Sequence, residues 1–135
     1  MAGYSGTSLE KKLGIKPGFI LKIINQPEEY FDFFDEFPEN ITFESSPEIL
    51  KDIIQFFTKD EGEMRKMLLE LKNEIRQNGM IWVSWPKKAS KVSTNVTEDI
   101  IRDYALKIGL VDIKVCAVSK IWSGLKLVIP VKDRV

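Results

Sequence analysis

The amino-acid sequence predicts a single α/β domain in which a mostly parallel sheet is covered on both faces. Two observations lead to this prediction. Short apolar runs typical of buried strands alternate with segments of helical spacing, and neither an internal repeat nor a Pro/Gly/Ser-rich linker divides the 135 residues. Hydrophobic residues make up 44% of the chain and charged residues 30%, which is the balance of a folded globular protein.

The first half of the chain contains three predicted strands and a short opening helix. After a loose start at Gly3-Tyr4-Ser5-Gly6, Thr7 is expected to cap the helix, with Glu10 completing a capping box and Gly14 ending it. Residues 19–24 form an isoleucine-rich run that indicates a strand covered on both faces. Residues 41–44 and 53–57 predict a second and a third strand.

A helix is expected directly after the first strand. Asn25 can cap it, and Pro27 lies at or near its first turn, where a missing amide hydrogen costs nothing. Its buried side would consist of the aromatic residues Tyr30, Phe31, Phe34 and Phe37.

The second half repeats the alternation. Apolar residues at helical spacing predict a helix over 61–77, ended by Asn78-Gly79, and a strand over 80–85 stopped by Pro86. A helix through 96–108 follows, then two strands over 111–118 and 125–131 that most simply form a hairpin. Parallel strands joined by right-handed crossovers define a Rossmann-like three-layer α/β fold, here with a C-terminal antiparallel hairpin.

Several chemistries are excluded by composition alone. The chain has no histidine and one cysteine, Cys116, so it lacks a Ser-His-Asp or Cys-His site, an internal disulfide, and the ligands of a thiolate or imidazole zinc centre. A carboxylate site for magnesium or calcium stays open, but no loop is patterned for one. No apolar run approaches the length needed to span a bilayer, and no signal peptide is recognisable, so we expect a cytoplasmic protein without a membrane partner.

The second half also resembles Rossmann-type methyltransferases. The matching words are Asn78-Gly79-Met80-Ile81-Trp82-Val83-Ser84, similar to that family's strand after a glycine turn, and residues 105–113, similar to its last helix and following strand. The resemblance implies a glycine-rich turn after the first strand and a ribose-binding acid after the second. The chain has Asn25-Gln26-Pro27-Glu28 at that turn, and only Glu44 could imitate the acid. We therefore expect no bound cofactor.

Over its whole length the chain resembles a family of small bacterial proteins known as a domain of unknown function. The words that carry this likeness are Gly3-Tyr4-Ser5-Gly6-Thr7, residues 11–15, Trp85-Pro86-Lys87-Lys88, residues 109–116 and residues 122–126. This resemblance brings no activity with it.

The segment after Trp85 is the first candidate for a binding site. Ligands of open α/β sheets bind beyond the carboxyl ends of the strands, and residues 87–95 place Lys87, Lys88, Ser90 and Thr94 there, next to a helix N-terminus. Cations, hydroxyl groups and free helix amides suit a phosphate or carboxylate. The alternative is a solvated loop in which Thr94 or Asn95 merely caps the helix.

The tryptophans and the cysteine are the remaining candidates. Trp82 and Trp85 are three residues apart on one strand and should face opposite sides of the sheet, Trp82 in the core and Trp85 at a pocket wall. Trp122, in the hairpin connection, either folds back onto the protein or contacts a partner. Cys116 shares a predicted strand face with Asp112 and Lys114, so it is either a reactive thiol or, more simply, an inert buried side chain.

Charge is distributed unevenly along this neutral chain. Residues 26–63 carry twelve acids and two lysines, whereas residues 87–135 carry ten bases and five acids. The leading hypothesis is a non-catalytic domain that binds a small anion or a protein partner. The alternatives are a small enzyme, including an unorthodox methyltransferase-like protein, and a single-stranded nucleic-acid binder. Zero net charge and the acidic middle third argue against the last. The oligomeric state stays open.

Overall fold

A computed structural model describes residues 6–135, so the expected loose start at residues 3–5 lies outside the described chain. The three helices are α1 (Leu9–Leu13), α2 (Glu61–Leu71) and α3 (Glu98–Lys107). The six strands are β1 (Ile20–Ile24), β2 (Thr42–Phe43), β3 (Lys51–Phe57), β4 (Ile75–Pro86), β5 (Val111–Ala117) and β6 (Trp122–Val128). Short 3-10 turns span Tyr30–Phe33, Lys72–Glu74, Lys88–Ser90 and Val131–Asp133.

All six strands form one mixed sheet in the order β2-β1-β3-β4-β6-β5. The first four strands in this order are parallel to one another, and β6 is antiparallel to both β4 and β5. Strands at 20–24, 42–43 and 51–57 confirm the predicted first half of the sheet. The Rossmann-like α/β fold with a C-terminal antiparallel hairpin is confirmed as well.

Two apolar clusters cover the two faces of the sheet. The first packs α2 and α3 against one face, and Trp85 belongs to it. The second packs α1 and the aromatic segment after β1 against the other face, and it contains Trp82 and Trp122. The Trp82 indole N–H also donates to the carbonyl of Leu13 at 3.0 Å, which ties α1 to the centre of the sheet.

The prediction of a helix after β1 is wrong. Asn25 takes the left-handed conformation with φ 58°, and only a 3-10 turn forms at Tyr30–Phe33. The aromatic residues decide the shape of this segment, because Tyr30 lies at the centre of edge-to-face contacts with its neighbouring rings. Tyr30 and Phe34 are buried as predicted, whereas Phe31 is half exposed.

The predicted end of α2 is also wrong. The helix stops at Leu71, and Ile75 already belongs to β4, so Asn78-Gly79 lies within a long strand rather than after a helix. Ile75 has the spacing expected of a helical residue, but it pairs with Lys51 of β3. Close packing favours glycine at this position, because an added Cβ would lie 3.1 Å from the Asp52 carbonyl oxygen.

The termini of α1 and α3 shift by one to three residues from their predicted caps. Ser8, not Thr7, precedes α1, and the Glu10 carboxylate accepts from the amides of Asp35 and Glu36 instead of closing a capping box. Thr97 caps α3 through its hydroxyl, which accepts from the amide of Ile100 at 3.2 Å. None of the helices within residues 6–135 has the length and apolar character of a membrane span.

Candidate functional site

The carboxyl edge of the sheet carries a cleft of about 640 Å³ beside the end of β4, which we call the basic cleft. Its floor includes Trp85 and Pro86, and its wall is the 3-10 turn and loop that lead to α3. Three of the predicted lysines and hydroxyls, Lys87, Lys88 and Thr94, line it together with Trp85, while Ser90 and Trp122 do not. The volume is that of a small-molecule site rather than of a single bound water.

Lysines dominate the charge of the basic cleft. Lys87 and Lys88 line it with Lys91, whose backbone is left-handed at φ 62°. Within residues 6–135 none of these three lysines forms an ion pair. The one acid of the lining, Glu98, is held by Arg102 of the same helix. The cleft therefore presents three uncompensated positive charges to solvent.

Hydrogen bonds to the neighbouring turn hold the loop in place. The Thr94 hydroxyl donates to the carbonyl of Lys59 at 2.7 Å, and the Asn95 side chain accepts from the amide of Glu61 at 2.7 Å. The alternative interpretation of this loop had Thr94 or Asn95 as the cap of α3; in the structure Asn95 satisfies the first turn of α2 instead. Ser90 bonds within the loop, donating to the carbonyl of Lys87. The carboxyl end of the loop is consequently anchored to the turn before α2.

Ser123 and Thr97 complete the basic cleft and were missed by sequence reasoning. Ser123 arrives there because it pairs with Trp85 across β6 and β4. Only the strand order could have predicted this residue. If β5 instead of β6 paired with β4, Ser123 would lie far from the cleft. Thr97 was overlooked because Asn95 offered a stronger capping pattern.

The predicted faces of the tryptophans are confirmed. Trp82 is fully buried on the α1 face, and Trp85 is nearly buried on the α2 and α3 face. Trp122 folds back onto the protein, where its ring meets Phe57 edge to face with 5.1 Å between centroids. It begins β6 rather than lying in the hairpin connection.

Trp122 lines a second opening of about 350 Å³ between the ends of β1 and β3, which we call the switch-point crevice. Phe57 and Pro27 form its apolar walls, and Asn25 and Glu63 lie on its polar side. β1 leads to β2 on one side and β3 leads to β4 on the other, so this is the point where the strand order reverses. Open α/β sheets place their ligands at such points.

A methyl-donor cofactor of the ordinary kind does not fit the turn that borders this crevice. The Asn25 side-chain amide donates to the carbonyl of Phe57 at 2.8 Å and fills the place where a glycine would let backbone approach a ligand. Pro27 offers no amide hydrogen. Glu44, at the end of β2, accepts from the amide of Ser46 at 2.9 Å and is thereby engaged in its own turn.

Cys116 is half-buried, and burial raises the pKa of its thiol, although the positive charges of Lys12 and Lys114 act in the opposite direction. This result favours the inert interpretation. The predicted shared face with Asp112 is wrong, because a bulge at 112–114 turns Asp112 toward Arg102 of α3. Among residues 6–135, no three Cys, Asp or Glu side chains gather in a way that could hold a metal ion.

Solved structures with the same architecture include several methyltransferases. A protein of Sulfolobus solfataricus proposed to be a type 11 methyltransferase matches with a TM-score of 0.63 and 15% identity, covering 90% of this chain and 89% of that one. The precorrin-6y C5,15-methyltransferase of Geobacter metallireducens matches with a TM-score of 0.59 and 8% identity, covering 88% and 84%. The magnesium protoporphyrin IX methyltransferase of Synechocystis with bound SAH matches with a TM-score of 0.56 and 11% identity, covering 90% of this chain and 78% of that one. The chain thus has a methyltransferase-like Rossmann fold.

The chain belongs to the family described as protein of unknown function (DUF3052), whose model matches residues 11–131. This confirms the whole-length resemblance read from the sequence. No curated protein matches the chain.

Proposed function

We propose that this protein is a non-catalytic binding domain whose basic cleft takes a small anion or an anionic group of a protein partner. The observation that carries the proposal is the presence of Lys87, Lys88 and Lys91 on one cleft without any ion pair to them in the described chain. Uncompensated cations around a concave surface bind phosphate or carboxylate, and each charge-assisted hydrogen bond is stronger than a neutral one.

The surroundings of these lysines support an anion in the same way. Thr94 and Ser123 add hydroxyl groups to the lining, and the N-terminus of α3 opens at the rim with Thr97 as its cap. The positive end of the helix dipole favours negative charge there. The tie from Thr94 to Lys59 keeps the loop in place before a ligand arrives, which lowers the entropy cost of binding.

The test is a titration with inorganic phosphate and pyrophosphate. Binding is measured by calorimetry and by the change in melting temperature. Ligand that binds the folded state raises stability as RT ln(1 + [L]/Kd). We expect the wild type to be stabilised and the Lys87→Ala/Lys88→Ala variant to lose at least about tenfold in affinity, which is about 1.4 kcal/mol. A variant of two exposed helical lysines, Lys66→Ala/Lys107→Ala, removes the same charge elsewhere and should bind as the wild type does. Equal binding by all three proteins would overturn the proposal.

A second candidate is a methyltransferase-like enzyme with an unorthodox donor site. Its support is a small pocket of about 300 Å³ at the ends of β1 and β2, lined by Gln26, Phe43 and Glu44. The same calorimetry with S-adenosylmethionine separates the two functions. Saturable binding that Glu44→Gln weakens would favour the enzyme, whereas no binding would favour the non-catalytic domain.

A further inference from the structure

The switch-point crevice has the opposite chemistry from the basic cleft. Its charged lining consists of the carboxylates of Asp60 and Glu63 and the single cation Lys59. Glu28 and Glu29, which follow the lining residue Pro27, add two more exposed acids nearby in the sequence. The crevice and its surroundings are therefore unsuited to a phosphate or another anion.

Within residues 6–135, Glu63 is held at the crevice by neutral donors alone. Its carboxylate accepts from the Thr58 hydroxyl at 2.7 Å and from the Asn25 side-chain amide at 3.2 Å. Two other half-buried carboxylates of this chain are neutralised: Glu61 pairs with Arg65, and Asp112 pairs with Arg102. Across residues 6–135 no such pair is formed by Glu63. A fixed, half-buried carboxylate without a counter-ion attracts a cation from solution.

Two aromatic residues also line the crevice. Trp122 keeps 8% of its surface exposed, whereas Phe57 is 1% exposed and packs edge to face against the Trp122 ring at 81°. A cation close to an aromatic face is attracted by the ring quadrupole, and tryptophan attracts it most strongly. Aromatic walls combined with a carboxylate are the features that recognise alkylammonium groups.

The volume of the crevice and the groups that line it restrict which ligands can bind. About 350 Å³ admits a small organic molecule, and a bare divalent metal is disfavoured because the described residues bring together no three carboxylate or thiol ligands. We propose that the switch-point crevice binds a small organic cation, a protonated amine or a quaternary ammonium, between the Glu63 carboxylate and the ring of Trp122. This inference does not depend on anion binding in the basic cleft.

Binding is tested with two probes, tetramethylammonium chloride and n-butylammonium chloride, each measured against sodium chloride at equal ionic strength. The readouts are calorimetry and the NMR shift of the tryptophan indole N–H groups. We expect saturable binding by the wild type that shifts the Trp122 signal more than those of Trp82 and Trp85. The Glu63→Gln variant keeps an acceptor for Thr58 and Asn25 but removes the charge, so its affinity should fall at least tenfold.

Matched variants separate this site from the rest of the molecule. Glu70→Gln removes one exposed acid from the same helix and should bind both ammonium probes as the wild type does. The Lys87→Ala/Lys88→Ala variant should also bind both ammonium probes as the wild type does. Loss of anion binding alone would therefore not contradict this inference. Absence of saturable ammonium binding, or equal binding by Glu63→Gln with an unchanged melting temperature, would overturn it. Binding of S-adenosylmethionine without binding of either simple cation would overturn it as well.

Discussion

Gly124 shows how a single residue shapes the meeting point of β4, β5 and β6. It lies opposite Ser84 on β4 and Cys116 on β5. A Cβ atom built at this position would be 3.2 Å from the Trp82 ring and 3.2 Å from a Val118 methyl group. Both neighbours are buried, so neither can move away easily.

We expect Gly124→Ala to destabilise the protein by about 1–3 kcal/mol, the usual cost of overpacking a filled core. Urea unfolding followed by circular dichroism measures the change. Trp82 belongs to the same packed region, so a shift of its indole N–H signal should accompany the loss. An unchanged free energy of unfolding would mean that the strands part here more readily than the close contacts indicate.

At the scale of the elements, the basic cleft depends on a cap shared between two parts of the chain. The first amides of α2 have no partners within the helix, and Asn95 of the following loop accepts from one of them, the amide of Glu61. Asp60 accepts from the amide of Glu63 at 2.8 Å and satisfies another. The loop of the basic cleft is thus fastened to the helix that borders the switch-point crevice.

Asn95→Ala should destabilise the protein by about 0.5–2 kcal/mol, the cost of losing a helix cap. It should also weaken phosphate binding, although every lysine of the basic cleft remains, because the loop loses one of its anchors. Thermal unfolding and the phosphate titration measure the two effects. Asn78→Ala, an exposed asparagine on β4, is the control and should change neither. Weakened stability with unchanged phosphate affinity would show that Thr94 alone positions the loop.

At the scale of the whole molecule, buried charge links the amino-terminal side of the sheet to the pH of the solution. One carboxylate oxygen of Glu74 accepts from Lys22 at 2.8 Å and from Lys51 at 2.9 Å, and the Lys51 side chain is fully buried. Burial acts to raise the pKa of Glu74, but the two lysines outweigh it and hold the pKa below its ordinary value of 4.5. The folded state therefore binds this proton more weakly than the unfolded chain does.

The sign of the pH effect follows from this lowered pKa. Stability contributed by Glu74 is fully present above about pH 4.5 and is lost as the pH falls through the folded pKa. Glu74→Gln should cost on the order of 3 kcal/mol at pH 7, because it leaves two lysines without their carboxylate. Urea unfolding between pH 3 and 7 should show a shallower acid limb for this variant. A parallel curve for variant and wild type would contradict the assignment. Glu10, whose pKa is also lowered, keeps part of the acid limb in both proteins.

Much of the fold could be predicted from local patterns because those patterns reflect burial. The apolar run that contains β1, the spacing of Met64, Leu68 and Leu71 in α2, and the opposite faces of Trp82 and Trp85 all follow from periods of two and 3.6 residues. The position of the basic loop beyond β4 follows from the same reasoning, since the carboxyl ends of strands face the ligand edge.

The aromatic segment after β1 and the start of β4 could not be predicted in this way. Capping signals favoured a helix at Asn25, but Tyr30 gains more from ring contacts on the sheet, and its hydroxyl donates to Gln55. Ile75 fits the helical period equally well, and only pairing with β3 makes it a strand residue. Tertiary contacts outweigh local preferences of less than about 1 kcal/mol per residue.

The sequence by itself determined the α/β class, the buried strands, the absence of histidine chemistry and the unusual turn at Asn25-Gln26-Pro27-Glu28. Only the tertiary structure decided which opening these residues line. Trp122 lines the switch-point crevice rather than the basic cleft, and Ser123 lines the basic cleft with the lysines. Glu63 accepts hydrogen bonds from Asn25 and Thr58. The physical reason is separation along the chain. Periodicity reports which face of an element is buried, whereas the strand order decides which distant side chains share an opening.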